Sequence, residues 1–202
     1  MWHVPLRLPL RRADYMGMAA PLYYTADMVR ALPDDGNRYE LVHGELLVTP
    51  APRPLHQLVH VRFVLALGNY LAREPIGQLL ASPADISWGD DTLVQPDLFV
   101  VRLDEARTLD WTRMRHLPLV VEILSPSSTR ADRFTKRRLY QEVGVPLYWM
   151  VDADAKAVEV WTPDATFPAF ERERLAWHPD GATEPFVLPC AALLGIAVSA
   201  LG

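Results

Sequence analysis

Val94-Gln95-Pro96-Asp97-Leu98-Phe99-Val100-Val101 and His116-Leu117-Pro118-Leu119-Val120-Val121-Glu122-Ile123-Leu124 each read as a short strand. The second run is almost entirely apolar, and bounded runs rich in Val and Ile mark strands buried on both faces. Glu122, near the end of that run, is in a costly place. An isolated ionised carboxylate there would lose several kcal/mol of hydration. A cation must meet it, or its pKa must rise until it is neutral. Neighbouring strands lie roughly 4.8 Å apart, so Asp97 and Glu122 are placed to aim at one point. Two carboxylates at one point repel unless a cation joins them, and their oxygens suit Mg²⁺ or Mn²⁺.

Past Leu124, Ser125-Pro126-Ser127-Ser128-Thr129 is a turn stocked with helix caps. Asp132 follows Thr129 by three residues, where an acid complements the dipole of a helix starting there. That helix is expected to run to about Val143, with Gly144 as its stop. Asp132, Lys136 and Tyr140 stand at successive i,i+4 positions on one face. Arg130, Arg133, Arg137 and Arg138 spread round the rest. Such a charge run is ordinarily a solvated face. Its place directly after the acid pair makes an approach to phosphate the competing reading, with Arg133 and Arg137 as candidate nucleic-acid contacts. Leu147–Val151 and Val158–Trp161 form a hairpin across the turn 152–156. The crossover from 117 to 151 then makes strands 117–124 and 147–151 parallel neighbours.

Upstream, Thr25 caps a short helical turn that Pro33 stops. Arg38–Val42 and Glu45–Thr49 flank His43-Gly44 as an N-terminal β-hairpin. Glu40 on that hairpin is either a solvated strand residue or a third acid aimed at the site. Residues 54–73, opening on Pro54, form a long helix with a broad apolar stripe. His56 and His60 stand four apart on it, more simply as partly buried helix histidines than as zinc ligands. Leu79–Trp88 reads as a further strand carrying Asp85, and Asp90 and Asp91 sit in a turn. Arg102–Arg115 is a surface loop or short helix. After Trp161, scattered prolines suggest peripheral strands and a terminal apolar cap.

The chain of 202 residues, half of them hydrophobic, suffices for one domain, expected over residues 25–202, behind a poorly ordered N-terminal extension over 1–24. Met16 and Met18 are alternative starts for it. The net charge of −5 argues against a coat of positive charge for indiscriminate nucleic-acid binding but leaves room for a local basic patch. The single Cys190 excludes an intramolecular disulfide framework and points to a reducing cytoplasm. The apolar run from Val187 to Gly202, broken by Pro189 and interior glycines, reads as core rather than as a membrane span.

The order Arg38-Tyr39-Glu40-Leu41, Gly44-Glu45, His56-Gln57, Gln95-Pro96-Asp97, Val121-Glu122-Ile123-Leu124-Ser125-Pro126-Ser127, Asp132, Lys136, Tyr140, Gly144-Val145 and Tyr148-Trp149 resembles the Uma-two family. That family is a group of restriction-endonuclease type within the PD-(D/E)XK nuclease superfamily. The likeness runs from about Thr25 to Trp161. It implies an α/β fold: a restriction-endonuclease-like mixed β-sheet core flanked by helices, here with the hairpin added at the N-terminal side. It also implies metal ligation by Asp97, Glu122 and the backbone carbonyl of Ile123. The superfamily's Lys two residues after the Glu is Leu124 here, so the resemblance points to Lys136 on the following helix as its replacement. Glu40 and His56 fall on family positions and become catalytic candidates, whereas Glu45 and Asp85 are left as structural. The expected activity is Mg²⁺- or Mn²⁺-dependent endonucleolytic hydrolysis of DNA phosphodiesters, by a homodimer because cutting both strands favours two related sites. The alternatives are a nuclease-fold protein that binds nucleic acid or a protein partner without cutting, and a metal-dependent hydrolase acting on a smaller phosphorylated substrate.

Overall fold

Six strands form the central sheet, in the order β3-β4-β5-β6-β7-β8. They are Gln78–Ala81, Leu98–Val101, Leu119–Ile123, Tyr148–Asp152, Ala157–Trp161 and Ala169–Glu171. All neighbours are antiparallel except β5 and β6, which run parallel across the helical crossover between them. The computed structural model describes residues 23–126 and 128–195. Residues 1–22, which carry most of the expected extension and both alternative starts, lie outside the described residues, as do Ser127 and the last part of the C-terminal apolar run.

Strand alternation divides the core in two. Leu98, Val100, Leu119, Val121, Ile123, Trp149 and Val151 turn to one face. There they pack on Val59, Phe63 and Leu67 of α2 (Pro54–Arg73) and on Leu193 and Leu194 of α5 (Cys190–Leu194). Pro54 opens α2 at its first turn, where a missing N–H is harmless. Phe99, Val101, Val120, Tyr148 and Met150 turn to the other face, against Leu139 and Tyr140 of α4 (Arg137–Glu142). On the α2 side β9 (Arg174–Trp177) and β10 (Phe186–Pro189) pair as a separate hairpin that packs against that core. Among the described residues, no helix is long and apolar enough to cross a membrane.

The N-terminal hairpin is a sheet of its own, β1 (Arg38–Val42) paired with β2 (Glu45–Thr49). His43 and Gly44, both with positive φ (49° and 78°), make the tight turn. Leu41 N donates to Leu93 O at 2.6 Å and Leu93 N returns to Leu41 O at 2.8 Å, so the hairpin is pinned to the loop before β4. The short helix α1 (Ala26–Arg30) starts at Thr25, whose Oγ1 accepts from Met28 N at 3.3 Å.

Three expectations need adjustment. The strand read over 79–88 ends at Ala81, because Pro83 cannot donate to a ladder; only Ile86 re-pairs, bridging Val94. The strand read from Val94 starts regular pairing at Leu98, two residues after Pro96, which leaves Asp97 at its mouth. The helix after Thr129 holds a π-helical turn over Ala131–Lys136 ahead of α4, closed by Arg137 N donating to Asp132 O. The 102–115 segment contains α3 (Leu103–Ala106) and a single 3₁₀ turn, Trp111–Arg113.

Candidate active site

Antiparallel pairing sets Leu98 opposite Val121 and Phe99 opposite Val120, and the same register carried one step outward sets Asp97 opposite Glu122. Alternation then places Glu122 between Val120 and Leu124 on the α4 face, although its flanking residues Val121 and Ile123 serve the α2 core. Both acids are buried, Asp97 at 3% exposure and Glu122 at 0%. They are joined through backbone: Asp97 N donates to Glu122 Oε2 at 3.4 Å, and Ile123 N donates to Asp97 Oδ2 at 2.8 Å.

Lys136 supplies the cation that Glu122 requires. Its Nζ lies 3.0 Å from Glu122 Oε1, 2.8 Å from Glu40 Oε2 and 3.0 Å from Asp132 Oδ1, with the side chain 1% exposed. Tyr140 donates its hydroxyl to the same Glu122 oxygen at 3.0 Å. The stripe Asp132, Lys136, Tyr140 therefore faces the sheet rather than solvent. Asp132, expected to complement the helix dipole, instead turns inward onto Lys136 and is 1% exposed. Glu40 is a third acid at the site, fixed by Gln95 N donating to its Oε1 at 2.8 Å.

Asp97 has a different set of partners. Arg38 Nη1 donates to Oδ1 at 2.8 Å and His56 Nε2 donates to Oδ2 at 3.0 Å. A carboxylate is acceptor-only, so His56 must carry its proton on Nε2. Its Nδ1 is buried with no partner among the described residues. His60, one turn along α2, bonds the Asp97 carbonyl at 3.1 Å through Nε2.

These contacts pull the acids' proton affinities apart. Burial by itself would raise Asp97, but the His56 hydrogen bond and the Arg38 charge outweigh it and hold the carboxyl well below the usual range. Burial raises Glu122 well above its ordinary value; Lys136 only partly offsets it, and Asp132, Asp97 and Glu40 add repulsion. Asp132 is raised for the same reasons, burial first. Burial would lower Lys136, yet Asp132, Glu122 and Glu40 together push it well up, so it stays protonated.

Of the residues singled out from the sequence, Asp97, Glu122, Ile123, Lys136, Glu40 and His56 meet here. Arg133 and Arg137 do not: Arg133 bonds Glu159 Oε1 at 2.9 Å and Asp152 Oδ2 at 3.3 Å, while Arg137 bonds Gln141 Oε1 at 2.6 Å and stacks over Trp161. Asp132 meets Lys136 as their shared helix face implies, whereas Arg38 is a member to which sequence reasoning gave no role. Arg38 shares a hairpin face with Glu40, two residues on, and that alternation was the available signal.

Of the cluster, Arg38, His56 and Asp97 line a cleft of about 440 Å³, together with Gln57, His60 and Gln95 and with Ser125 and Ser128 at its edge, while Glu122, Glu40, Asp132 and Lys136 lie buried behind it. A larger cavity, about 800 Å³, lies where β5 and β6 begin and includes none of these acids. Among the described residues no three His, Cys, Asp or Glu side chains stand ready as metal ligands. Two carboxylates and a carbonyl do not need a third side chain, however. If all four buried acids (Glu40, Asp97, Glu122, Asp132) are ionised, they exceed the two permanent cations (Arg38, Lys136) by two negative charges, which adds to burial in raising the proton affinity of Glu122 and Asp132. That donor set, all hard oxygen and short of charge by one divalent ion, fits Mg²⁺ or Mn²⁺.

The chain has the fold of a solved structure described as a "putative nuclease belonging to DUF820 from Anabaena variabilis". The TM-score is 0.69 at 22% identity, over 84% of this chain and 97% of that one. None of the curated proteins searched matches the sequence. The family model described as "Putative restriction endonuclease", Uma2, matches residues 26–184, a span that takes in every residue of the cluster. The chain belongs to the Uma2 family.

Proposed function

We propose that the protein is a divalent-metal-dependent nuclease that hydrolyses DNA phosphodiesters in the cleft above Asp97. One observation carries this reading: two buried acids opposed in register, Asp97 on the wall of a cleft and Glu122 behind it, in a cluster whose four acids, once ionised, outnumber its two permanent cations by two. Asp97 and Glu122 would hold the ion, joined by the Ile123 carbonyl, which leaves the strand on the same edge as the N–H that Asp97 receives. When bound, Mg²⁺ or Mn²⁺ supplies Lewis-acid polarisation of a phosphoryl oxygen and acidification of water. Lys136, fixed by Glu40, Asp132 and Glu122, neutralises charge that develops on the phosphate. Asp97 fixes the His56 tautomer, leaving Nδ1 as a proton acceptor.

A second reading, a nuclease fold that binds without cutting, is favoured by one feature: Asp97 and Glu122 already have protein cations, Arg38 and Lys136. Supercoiled plasmid, linear duplex and single-stranded DNA incubated with Mg²⁺ or Mn²⁺ separate the two. Metal-dependent cleavage is expected, falling by about 10²-fold or more in Asp97→Asn. Binding of DNA with no cleavage under either ion would leave the second reading standing.

A further inference from the structure

Asp97 presents its two oxygens unequally. Oδ2 is committed to the fold, receiving Ile123 N from β5 at 2.8 Å and His56 Nε2 from α2 at 3.0 Å. Oδ1 is met by Arg38 Nη1 at 2.8 Å, from a side chain that is 21% exposed and lines the cleft. Arg38 has further anchors beside that acid. Nη1 also donates to Gln95 O at 3.2 Å and reaches Ser82 Oγ at 3.5 Å, and Nε stands 3.7 Å from Glu40 Oε2. The guanidinium can therefore leave Asp97 without leaving the cleft wall. It cannot discharge by losing a proton: burial lowers its proton affinity, but Glu40, Asp97 and Glu122 more than reverse that.

We propose that Arg38 is an exchangeable counter-charge for Asp97: it yields Oδ1 to the divalent ion and turns to a phosphate oxygen of the bound strand. The assignment rests on the metal-dependent reading given above. A guanidinium and a divalent ion drawn to the same carboxylate repel one another, so they compete for it, and the winning cation keeps the buried acid compensated in either state. Arginine presents planar paired donors that match phosphate oxygens, which suits the released group to the substrate. In this role Arg38 is a positioning residue for Asp97 in the metal-free protein and a phosphate contact once the ion is in place.

The test is calorimetric titration of the full chain with Mn²⁺ alone, in the unmodified protein and in Arg38→Gln and Arg38→Lys, alongside DNA hydrolysis at saturating Mn²⁺. Arg38→Gln is expected to bind Mn²⁺ about tenfold tighter and to hydrolyse at least about tenfold more slowly. Arg38→Lys keeps the charge and is expected to shift both in the same direction by less. Unchanged or weaker Mn²⁺ affinity in either folded variant would overturn the exchange, and unchanged hydrolysis would overturn the phosphate contact. Crystals of the unmodified chain soaked in Mn²⁺ decide the matter without any variant. Arg38 Nη1 is expected beyond hydrogen-bond distance of Asp97 Oδ1, and an intact contact beside a bound ion would refute the exchange while leaving metal dependence in place. Absence of Mn²⁺ binding to the unmodified chain would remove the metal-dependent reading itself, and the exchange with it.

Discussion

Lys136 faces three carboxylates within 3.0 Å and almost no solvent, so its removal leaves buried negative charge with nothing to answer it. Breaking a buried pair from one side costs about 3–5 kcal/mol. Lys136→Met is expected to lose stability in that range in urea denaturation at neutral pH with chelator present, and less at pH 5, where the acids can protonate. An equal loss at both pH values would show that packing, not charge, is what Lys136 supplies. Asp97, Glu122 and Lys136 are legible in the sequence because an acid in an apolar strand demands a partner, and helical spacing puts one within reach. Asp132 is legible in part: its spacing puts it on the Lys136 face, but an acid in a first helical turn also has a local explanation in the dipole, which hides its burial. Arg38 escapes because a charged residue at the start of a hairpin looks solvated until the hairpin is known to lie over the sheet. Arg133 and Arg137 look available for phosphate in sequence, and only the fold reveals Glu159, Asp152 and Trp161 beside them.

At the scale of elements, the β1–β2 hairpin matters most, since it brings Arg38 and Glu40 to acids carried by β4 and β5. Its turn depends on Gly44, whose φ of 78° disfavours any side chain and where a Cβ would run into the Tyr23 ring. Gly44→Ala is expected to lower stability by about 1–2 kcal/mol in urea titration. Gly68→Ala in the middle of α2, where a Cβ meets nothing within 4 Å, is expected instead to be neutral or to stabilise by up to about 1 kcal/mol. The opposite ranking would remove the turn geometry as the constraint. The hairpin and α2 are legible end to end because each carries its own local signals, Gly44 at the turn and Pro54 at the helix start. The strand over 79–88 is overread because alternation continues past Pro83, where the backbone can no longer pair. The π-helical turn leaves no signature in spacing, since Asp132, Lys136 and Tyr140 fall on one face in either helix.

For the molecule as a whole, the parallel β5–β6 crossover is legible because a strand, a helix and a strand in succession can return only one way. The β8 edge and the β9–β10 cap are not, because proline-rich segments carry weak period-two patterns and are placed by the surfaces they cover. The site's charge imbalance also sets how the whole fold responds to pH. Glu122 and Asp132 bind protons more tightly folded than unfolded. Above the ordinary glutamate value of 4.5 the unfolded chain releases protons that the native state retains, so stability falls as pH rises. Asp97, held low, acts oppositely, but only below its ordinary value of 3.8, where lowering the pH removes its contribution. A divalent ion on Asp97 and Glu122 favours the ionised acids and should cancel the decline. Thermal denaturation at pH 5 and pH 8, with chelator and with Mn²⁺, in the unmodified chain and in Glu122→Gln, measures this directly. The expected result is a chelated protein that melts lower at pH 8 than at pH 5, a Tm raised by Mn²⁺ mainly at pH 8, and no Mn²⁺ effect in Glu122→Gln. A Tm indifferent to Mn²⁺ at both pH values, or a rise that survives Glu122→Gln, would contradict a buried acid pair built to receive a divalent ion.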